Sequence, residues 1–393
     1  MHEKKTYTLF VVDPAADCLA NFQAFFAGWS HLFYFFDSRQ AALETMSIVT
    51  PDLVLARVAA DDPAAKGLVV QVLQRCPNAI RIVFGRREDF AALTKLVANG
   101  VAHRLFTLPW EEQHLREMVS SDIELRSRLQ LSKSWDYLQL GSRLTVLPAV
   151  AFDVGRLLQD PECSIDLLVA TLQKDPVISS RLLQVVNSSA FPKARTIHDL
   201  HHAVSFLGLA NMREIVLFMC TVELFPPAKG CYSYFLKIAR HSYLCSKLAG
   251  AIAREILPEA EREAATIGLL HDIGKLVFFA SDCARYLSMG EGLGDRCLAA
   301  ADELEKEYLG ISHGALGSSL LLWWNLPISF VEAVASHDLP IDQLAGITRV
   351  VAIADRCLVE SQSNGVIGTD IGRLEQKMPI ADWRKLAAQL LSE

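Results

Sequence analysis

The chain has 393 residues, 51% of them hydrophobic, which excludes a disordered or fibrous protein and fills two or three cores at about 150 residues per domain. Lys and Arg number 38 against 45 Asp and Glu, a formal charge of −7, and no basic run is present to track a phosphate backbone, so direct nucleic-acid binding is not expected. The nine cysteines are dispersed and never arranged as Cys-x-x-Cys, the usage of buried thiols in a reducing cytosol, and the apolar run Tyr7 to Val12 is too short for a signal peptide or a membrane span; a cytoplasmic protein without a membrane segment is expected.

Short β-branched runs alternate with helical segments through residues 1–124. Leu9 to Val12, Leu53 to Ala56, Ile80 to Phe84 and His103 to Phe106 read as strands, with a helix from Phe90 to Asn99 stopped by Gly100. That rhythm predicts an α/β domain with a parallel sheet and crossover helices. The clusters Phe22, Phe25, Phe26 and Phe33, Phe35, Phe36 read as core aromatics, and Asp61-Asp62 as a solvated turn. Between Trp110 and Leu140, the apolar positions Leu115, Met118, Leu125 and Leu129 keep one helix face, so the last helix of the first domain is expected to run into a helical linker at 125–142.

Beyond Leu147-Pro148 the helical period persists and β-branched runs become scarce, which predicts an all-α domain at 143–345 and a helical extension at 346–393. Ser164 is placed to cap a helix from Ile165, Asn211 and Glu214 form a capping box, and Gly208 stands where a helix should stop. Asp175-Pro176 ends one helix and begins another with proline in its first turn. His198 and His202 have the spacing that lets two imidazoles share a helix face, but no HExxH follows, and with His201 they read as helix surface.

The stretches Leu9 to Asp13, Pro51 to Leu55 and Gly100 to Pro109 resemble the response-regulator receiver domain, a flavodoxin-like fold. The resemblance covers most of residues 6–120 and departs at each chemical position. Asp13 is followed by Pro14 instead of a second acid, Arg57 occupies the phospho-acceptor position, Gly85 stands for a Ser/Thr, and Leu108 stands for the Lys before Pro109. A permanent cation at Arg57 replaces a negative charge where a hard Mg²⁺ ion would need clustered oxygens. Metal-assisted phosphorylation is therefore not expected. The domain reads as a pseudo-receiver for docking or dimerisation, or as a passive scaffold in which Arg57 pairs with Asp13.

In the all-α part, His271-Asp272-Ile273-Gly274-Lys275 follows the apolar helix Ala264 to Leu270. An adjacent His and Asp can reach one ion, and imidazole with carboxylate suits Fe, Mn or Zn. His241 lies thirty residues earlier in a helical stretch, and Asp355 ends the apolar segment Val350 to Asp355. This order of His, His-Asp and distant Asp resembles the HD phosphohydrolase superfamily, and His313 and His337 are candidates for a second ion. The stronger resemblance, over Leu144 to Pro340, is to the HDOD domain. It rests on Leu147 to Val150, Lys174 to Leu183, Val186 to Phe191, Ala203 to Gly208, Gly268 to Leu276, Ile311 to Gly317, Trp324 to Pro327 and His337.

That resemblance implies a bacterial signalling module acting by protein–protein interaction, with other signalling proteins as partners, a homodimer left open, and catalysis not the leading expectation. The related HD-GYP enzymes hydrolyse cyclic di-GMP, but their tandem His-His is His337-Asp338 here and their Gly-Tyr-Pro signature is missing. The competing reading is a metal-dependent phosphohydrolase, with His241, His271, Asp272 and Asp355 on one ion, His313 and His337 on another, and Lys275 steadying a phosphate. A relict site binding a nucleotide or cyclic dinucleotide without hydrolysis is a third. Taken singly, each of these residues also fits an ordinary fold-keeping role; their convergence in space is the observation that decides.

Overall fold

A computed structural model of the protein describes residues 6–98, 101–129, 132–138, 150, 153–154, 157, 163–187, 196–208, 212, 232–290, 301–324, 326–362, 370–374 and 378–392. The capping box at Asn211 and Glu214 and the Leu147-Pro148 motif lie outside these residues. The chain divides into two compact units, Met1–Ser132 with Gln184–Ala194 and Lys133–Leu183 with Arg195–Glu393.

The first unit is built on five parallel strands, β1 (Thr8–Val12), β2 (Leu32–Phe36), β3 (Leu53–Arg57), β4 (Ile80–Arg86) and β5 (Arg104–Leu108), in the order β2-β1-β3-β4-β5. Every residue of β3 is buried, as expected of a parallel strand covered on both faces. Helices α1 (Leu19–Phe26), α2 (Arg39–Thr45), α3 (Pro63–Arg75), α4 (Phe90–Ala98) and α5 (Glu112–Leu129) make the crossovers and the final helix. This is the flavodoxin-like order, in which the carboxyl ends of β1 and β3 flank the topological switch point. Asp13 and Arg57 sit at those two ends.

Strand β2 is the element that sequence periodicity did not single out. Its run Leu-Phe-Tyr-Phe-Phe has no polar alternation, so it reads as generic core, yet aromatic side chains favour the pleated conformation. The other aromatics behave as expected: Phe22, Phe25 and Phe26 are buried, and Phe22 stacks on Trp110 with ring centroids 4.4 Å apart. Asp62 does more than sit in a solvated turn. It caps α3, accepting from the amides of Ala64 and Ala65 at 3.0 and 3.1 Å ahead of Pro63, and pairs with Arg39.

At the opposite end of the sheet Arg81 is buried among carbonyls, donating to Val101 (2.6 Å), Ala79 (2.8 Å) and Pro77 (3.1 Å), and burial lowers its pKa to about 9. His103 accepts from the Arg81 amide through Nδ1 at 2.9 Å. Burial, reinforced by the charges of Arg81, Arg104 and Arg126, holds the His103 pKa well below 6.5. Below pH 6.5 the unfolded chain therefore binds a proton that the folded domain refuses, and stability falls as pH falls. The urea midpoint of the first domain is expected to drop between pH 7 and pH 5.5, and to drop less in His103→Asn, which keeps an acceptor near the Nδ1 position. Equal slopes in the two proteins would remove His103 as the cause.

The second unit is largely helical: α6 (Ser134–Leu138), α7 (Ile165–Leu172), α8 (Pro176–Val186), α9 (Tyr232–Ile256), α10 (Glu261–Leu270), α11 (Ile273–Gly290), α12 (Ala301–Leu309), α13 (His313–Trp323), α14 (Ile328–Ser336), α15 (Gly346–Gln362) and α16 (Ile380–Ser392), with a further helical run at 200–208. The caps follow the sequence reading. Ser164 accepts from the Leu167 amide, Asp175 accepts from the amides of Val177 and Ile178 at the start of α8, and Gly208 has a φ of 72°. His198 does not share a helix face with His202, because it precedes the helical run and faces Glu263 at 3.2 Å.

Among the described residues, one stretch, Pro258–Met289, has the length and apolarity of a membrane span; its apolar 18-residue window is 83% buried inside the fold, and the stretch is broken by a turn at His271-Asp272. Among the described residues Cys18, Cys76, Cys245 and Cys357 are free thiols, whereas Cys283 is disulfide-bonded, which departs from the expectation of thiols throughout.

Candidate metal centre

Five helices, with the turn after one of them, deliver the six predicted ligands to one place. His271 and His337 each cap the C-terminus of a helix, α10 and α14, and each uses its Nδ1 in the same way, against the carbonyl three residues back: Gly268 at 2.7 Å and Val334 at 2.9 Å. The last carbonyls of a helix lack intrahelical partners, so an Nδ1–H donated there satisfies an orphan acceptor and fixes the tautomer. Both rings are left with Nε2 directed inward. His313 opens α13, capped by Ser312, and its Nδ1 is held by Glu305 of α12 at 2.8 Å. His241 comes from the middle of α9 and Asp355 from α15, with Nε2 and Oδ1 2.9 Å apart.

These side chains meet around Asp272, which is 1% exposed. Its two oxygens face two groups. Oδ2 lies 3.5 Å from His271 Nε2 and 4.0 Å from His241 Nε2, while Oδ1 lies 3.3 Å from His313 Nε2 and 3.9 Å from His337 Nε2. Within each of the triads His241-His271-Asp272 and Asp272-His313-His337 the ligand atoms are mutually within 4.8 Å. Asp355 Oδ1 adds to the first at 3.7 Å from His271 Nε2, and Asp338 Oδ2 to the second at 3.1 Å from His313 Nε2. All six predicted ligands are brought together.

Two atoms at the centre, His271 Nε2 and Asp272 Oδ1, are buried without a hydrogen bond. A buried polar atom so placed costs stability unless something else satisfies it. A nitrogen and oxygen donor set with a shared carboxylate fits one or two ions of the Fe, Mn or Zn type. Their protons tell the same story. Burial lowers the pKa of His271 and His313, but the neighbouring charges of Asp272 and Glu305 outweigh it and raise both well above 6.5. Burial alone would raise Asp272, yet His271, Lys275 and His313 hold it well below the usual carboxylate range. Exchanging two imidazolium protons for one divalent ion leaves the local charge unchanged.

Lys275 is not the free phosphate clamp that its position in the motif suggests. The helix does not continue through His271-Asp272, and Lys275, 5% exposed, donates to Asp272 Oδ2 at 2.8 Å. Its charge is spent on the central carboxylate. Two residues that the sequence reading did not assign also belong to the site. Glu305 is fully buried, accepts from the His313 amide at 2.5 Å and from Tyr286 at 2.6 Å, and orients His313; Asp338, 39% exposed at its side chain, lines the outer rim. Glu305 stands among three other acids and a lysine of α12, where nothing in the pattern separates it from a solvated face.

At the receiver-like domain's switch point, Arg57 Nη1 lies 3.1 Å from Asp13 Oδ1 and also pairs with Asp17. Asp13 is fully buried and spends its remaining capacity on the amides of Ala15 (3.2 Å) and Cys18 (3.0 Å). The cation occupies the acidic pocket that the sequence places there.

The HDOD domain model matches residues 144–340, half of the chain, and this range holds all of the centre except Asp355. The chain belongs to the HDOD family. An uncharacterized protein of Treponema pallidum (strain Nichols) is 23% identical over 192 residues, 49% of this chain and 37% of its own length. A protein named Ribonuclease Y from Mycoplasma mycoides subsp. mycoides SC is 28% identical over 160 residues, 40% of this chain and 26% of its own length. The matches thus span well under half of these curated relatives. Among solved structures, the MmoQ response regulator of Methylococcus capsulatus str. Bath superposes with a TM-score of 0.51 at 20% identity, covering 61% of this chain and 97% of that one. The molecule is a receiver-like domain ahead of an HDOD domain.

Proposed function

We propose that this HDOD protein is a cytoplasmic signal-transduction regulator that holds one or two transition-metal ions around Asp272 and acts by binding another signalling protein. The observation that supports the metal is the convergence of four imidazoles and two aspartates, with His271 Nε2 and Asp272 Oδ1 buried without a hydrogen bond. His241, His271, Asp272 and Asp355 would hold one ion, and Asp272, His313, His337 and Asp338 the other. Bound metal would lock five helices of the domain together and acidify any water it held. Untagged protein purified without chelator is expected to carry about one or two equivalents of Fe, Mn or Zn by elemental mass spectrometry, and His271→Ala to lose most of it. Negligible metal in both would end the metal-bound reading.

The receiver-like domain enters this reading as a docking element whose state is not set by phosphorylation. Arg57 already supplies the positive charge that a metal ion would bring to Asp13. Arg57→Asp is expected to remain unphosphorylated by acetyl phosphate with Mg²⁺: Asp17 leaves the pocket a second acid, but Pro14 stands where the receiver pattern has its own and Leu108 still denies the pocket its lysine. Incorporated phosphate, read by intact-mass spectrometry, would show that the pocket is competent.

A second reading is favoured by the shared carboxylate, which suits a two-ion phosphohydrolase, and by the likeness to proteins named Ribonuclease Y. Turnover of a phosphodiester or a cyclic dinucleotide by metal-loaded protein, absent in Asp272→Asn, would put the enzyme first. Tight nucleotide binding without product would make the centre a sensor.

A further inference from the structure

The outer edge of the first domain's sheet is a five-residue strand, β2, with no charge along it, no proline and no bulge. Natural sheet edges are blunted by such devices, and a bare apolar edge is a template for another strand. Leu32 is 54% exposed, and Phe33, Tyr34, Phe35 and Phe36 are all half-buried. The inner side of the strand is taken by β1. Leu32 donates to the Tyr7 carbonyl and Phe36 accepts from the Asp13 amide, both at 2.9 Å, and the register pairs Phe10 with Tyr34. In a parallel ladder this directs the amides and carbonyls of residues 32, 34 and 36 inward. Those of Phe33 and Phe35 therefore face out from the sheet.

The identity of the strand that fits follows from this spacing. We propose that β2 pairs antiparallel with β2 of a second copy of the chain, on a two-fold axis at Tyr34, joining two five-stranded sheets into one of ten strands. In that register Phe33 faces the partner's Phe35 and Phe35 the partner's Phe33. These are the residues whose backbone groups point outward, so each facing pair exchanges two hydrogen bonds. Tyr34 faces its own counterpart, Leu32 faces Phe36, and the side chains that meet across the axis are aromatic or aliphatic throughout. Just beyond the strand, His31 faces Asp37 at both ends, so an imidazole meets a carboxylate and no like charges are opposed. Edge, register and charge are all self-complementary, as a two-fold interface requires.

The test uses the full chain. Sedimentation equilibrium is expected to give twice the 43.5 kDa of one chain. Tyr34→Lys places two ammonium groups opposite each other on the axis and is expected to shift the protein to monomer, while Ile48→Lys, at a side chain 87% exposed outside the strand, leaves the dimer intact. Across the axis the residue-34 pair is a non-hydrogen-bonded one, whose Cα separation of about 4.5 Å permits a disulfide. Tyr34→Cys is therefore expected to cross-link under mild oxidation well above the wild-type background set by the native thiols. A monomer at the highest concentration the protein tolerates overturns the proposal. So does a dimer that Tyr34→Lys leaves intact and Tyr34→Cys fails to cross-link, since the copies would then meet elsewhere. Should Tyr34→Lys fail to fold, the Tyr34→Cys cross-link decides alone, its presence above background supporting the interface and its absence overturning it.

Discussion

Asp272→Asn is expected to abolish metal binding and to destabilise the HDOD domain at the same time, by separable routes. The substitution is isosteric, so the helices can keep their places. What it removes is the charge that faces four imidazoles and the Lys275 ammonium. Breaking a buried ion pair by neutralising one partner costs about 3–5 kcal/mol, because the other charge is left uncompensated. Metal affinity should fall by at least the ~100-fold that loss of an outer-shell partner alone can cause. The double variant Asp272→Asn/Lys275→Met separates the two effects. It removes the stranded cation and should recover most of the lost thermal stability while remaining without metal. If it recovered the metal as well, Asp272 would be a structural anion and the centre would lie elsewhere. If it recovered neither, the destabilisation would not come from Lys275.

Gly274→Ala is expected to be as damaging, for a reason that helix propensity reverses. In an exposed helix the change would gain about 1 kcal/mol. A Cβ at this position, however, would stand 2.0 Å from the His313 carbonyl oxygen, 2.8 Å from its carbon and 2.9 Å from the Gly317 amide, all of them backbone. Helices α11 and α13 cross here with no side chain between them, and nothing flexible can give way. The helices must part, at a cost of about 1–3 kcal/mol or more, and the displaced segment is the one that aims His313 at Asp272. The melting temperature should fall by roughly 5–10 °C, with loss of bound metal. Gly67→Ala, inside α3 with nothing within 4 Å of its added carbon, is the matched control and should melt no lower than the parent. An unchanged melting temperature in Gly274→Ala would mean that the crossing is looser than its geometry shows.

The two sites were not equally legible. Of the six candidate ligands, His271 and Asp272 stand out because adjacent His and Asp, followed by Gly and Lys at a helix junction, are a rare combination with a chemical purpose, whereas His241, His313, His337 and Asp355 rest on the resemblance to the HD superfamily. Their convergence could be expected but not seen, since it depends on α9, α10, α13, α14 and α15 meeting at one point. Glu305 could not be found from its neighbours, because a carboxylate buried under a histidine and one in solvent look alike in a charged helix. Lys275 shows the opposite failure. Its place in the motif suggests a ligand for substrate, and only the turn at His271-Asp272 brings it back onto Asp272. In the first domain, apolar runs bounded by turns marked four strands correctly. β2 escapes such a reading because a stretch that is apolar at every position, a leucine followed by four aromatics, carries no period to read.

The guanidinium lodged between Asp13 and Asp17 also bears on time. An acyl phosphate on a receiver decays, so a phosphorylated domain carries its own clock and forgets its stimulus at a rate fixed by hydrolysis. Arg57 is part of the chain and has no half-life shorter than that of the protein. On the proposed reading a domain so filled would hold no memory of an upstream kinase; what it reports would be carried by how much of the protein is present and by which partners are at hand, and it would reset only through synthesis, degradation or dissociation.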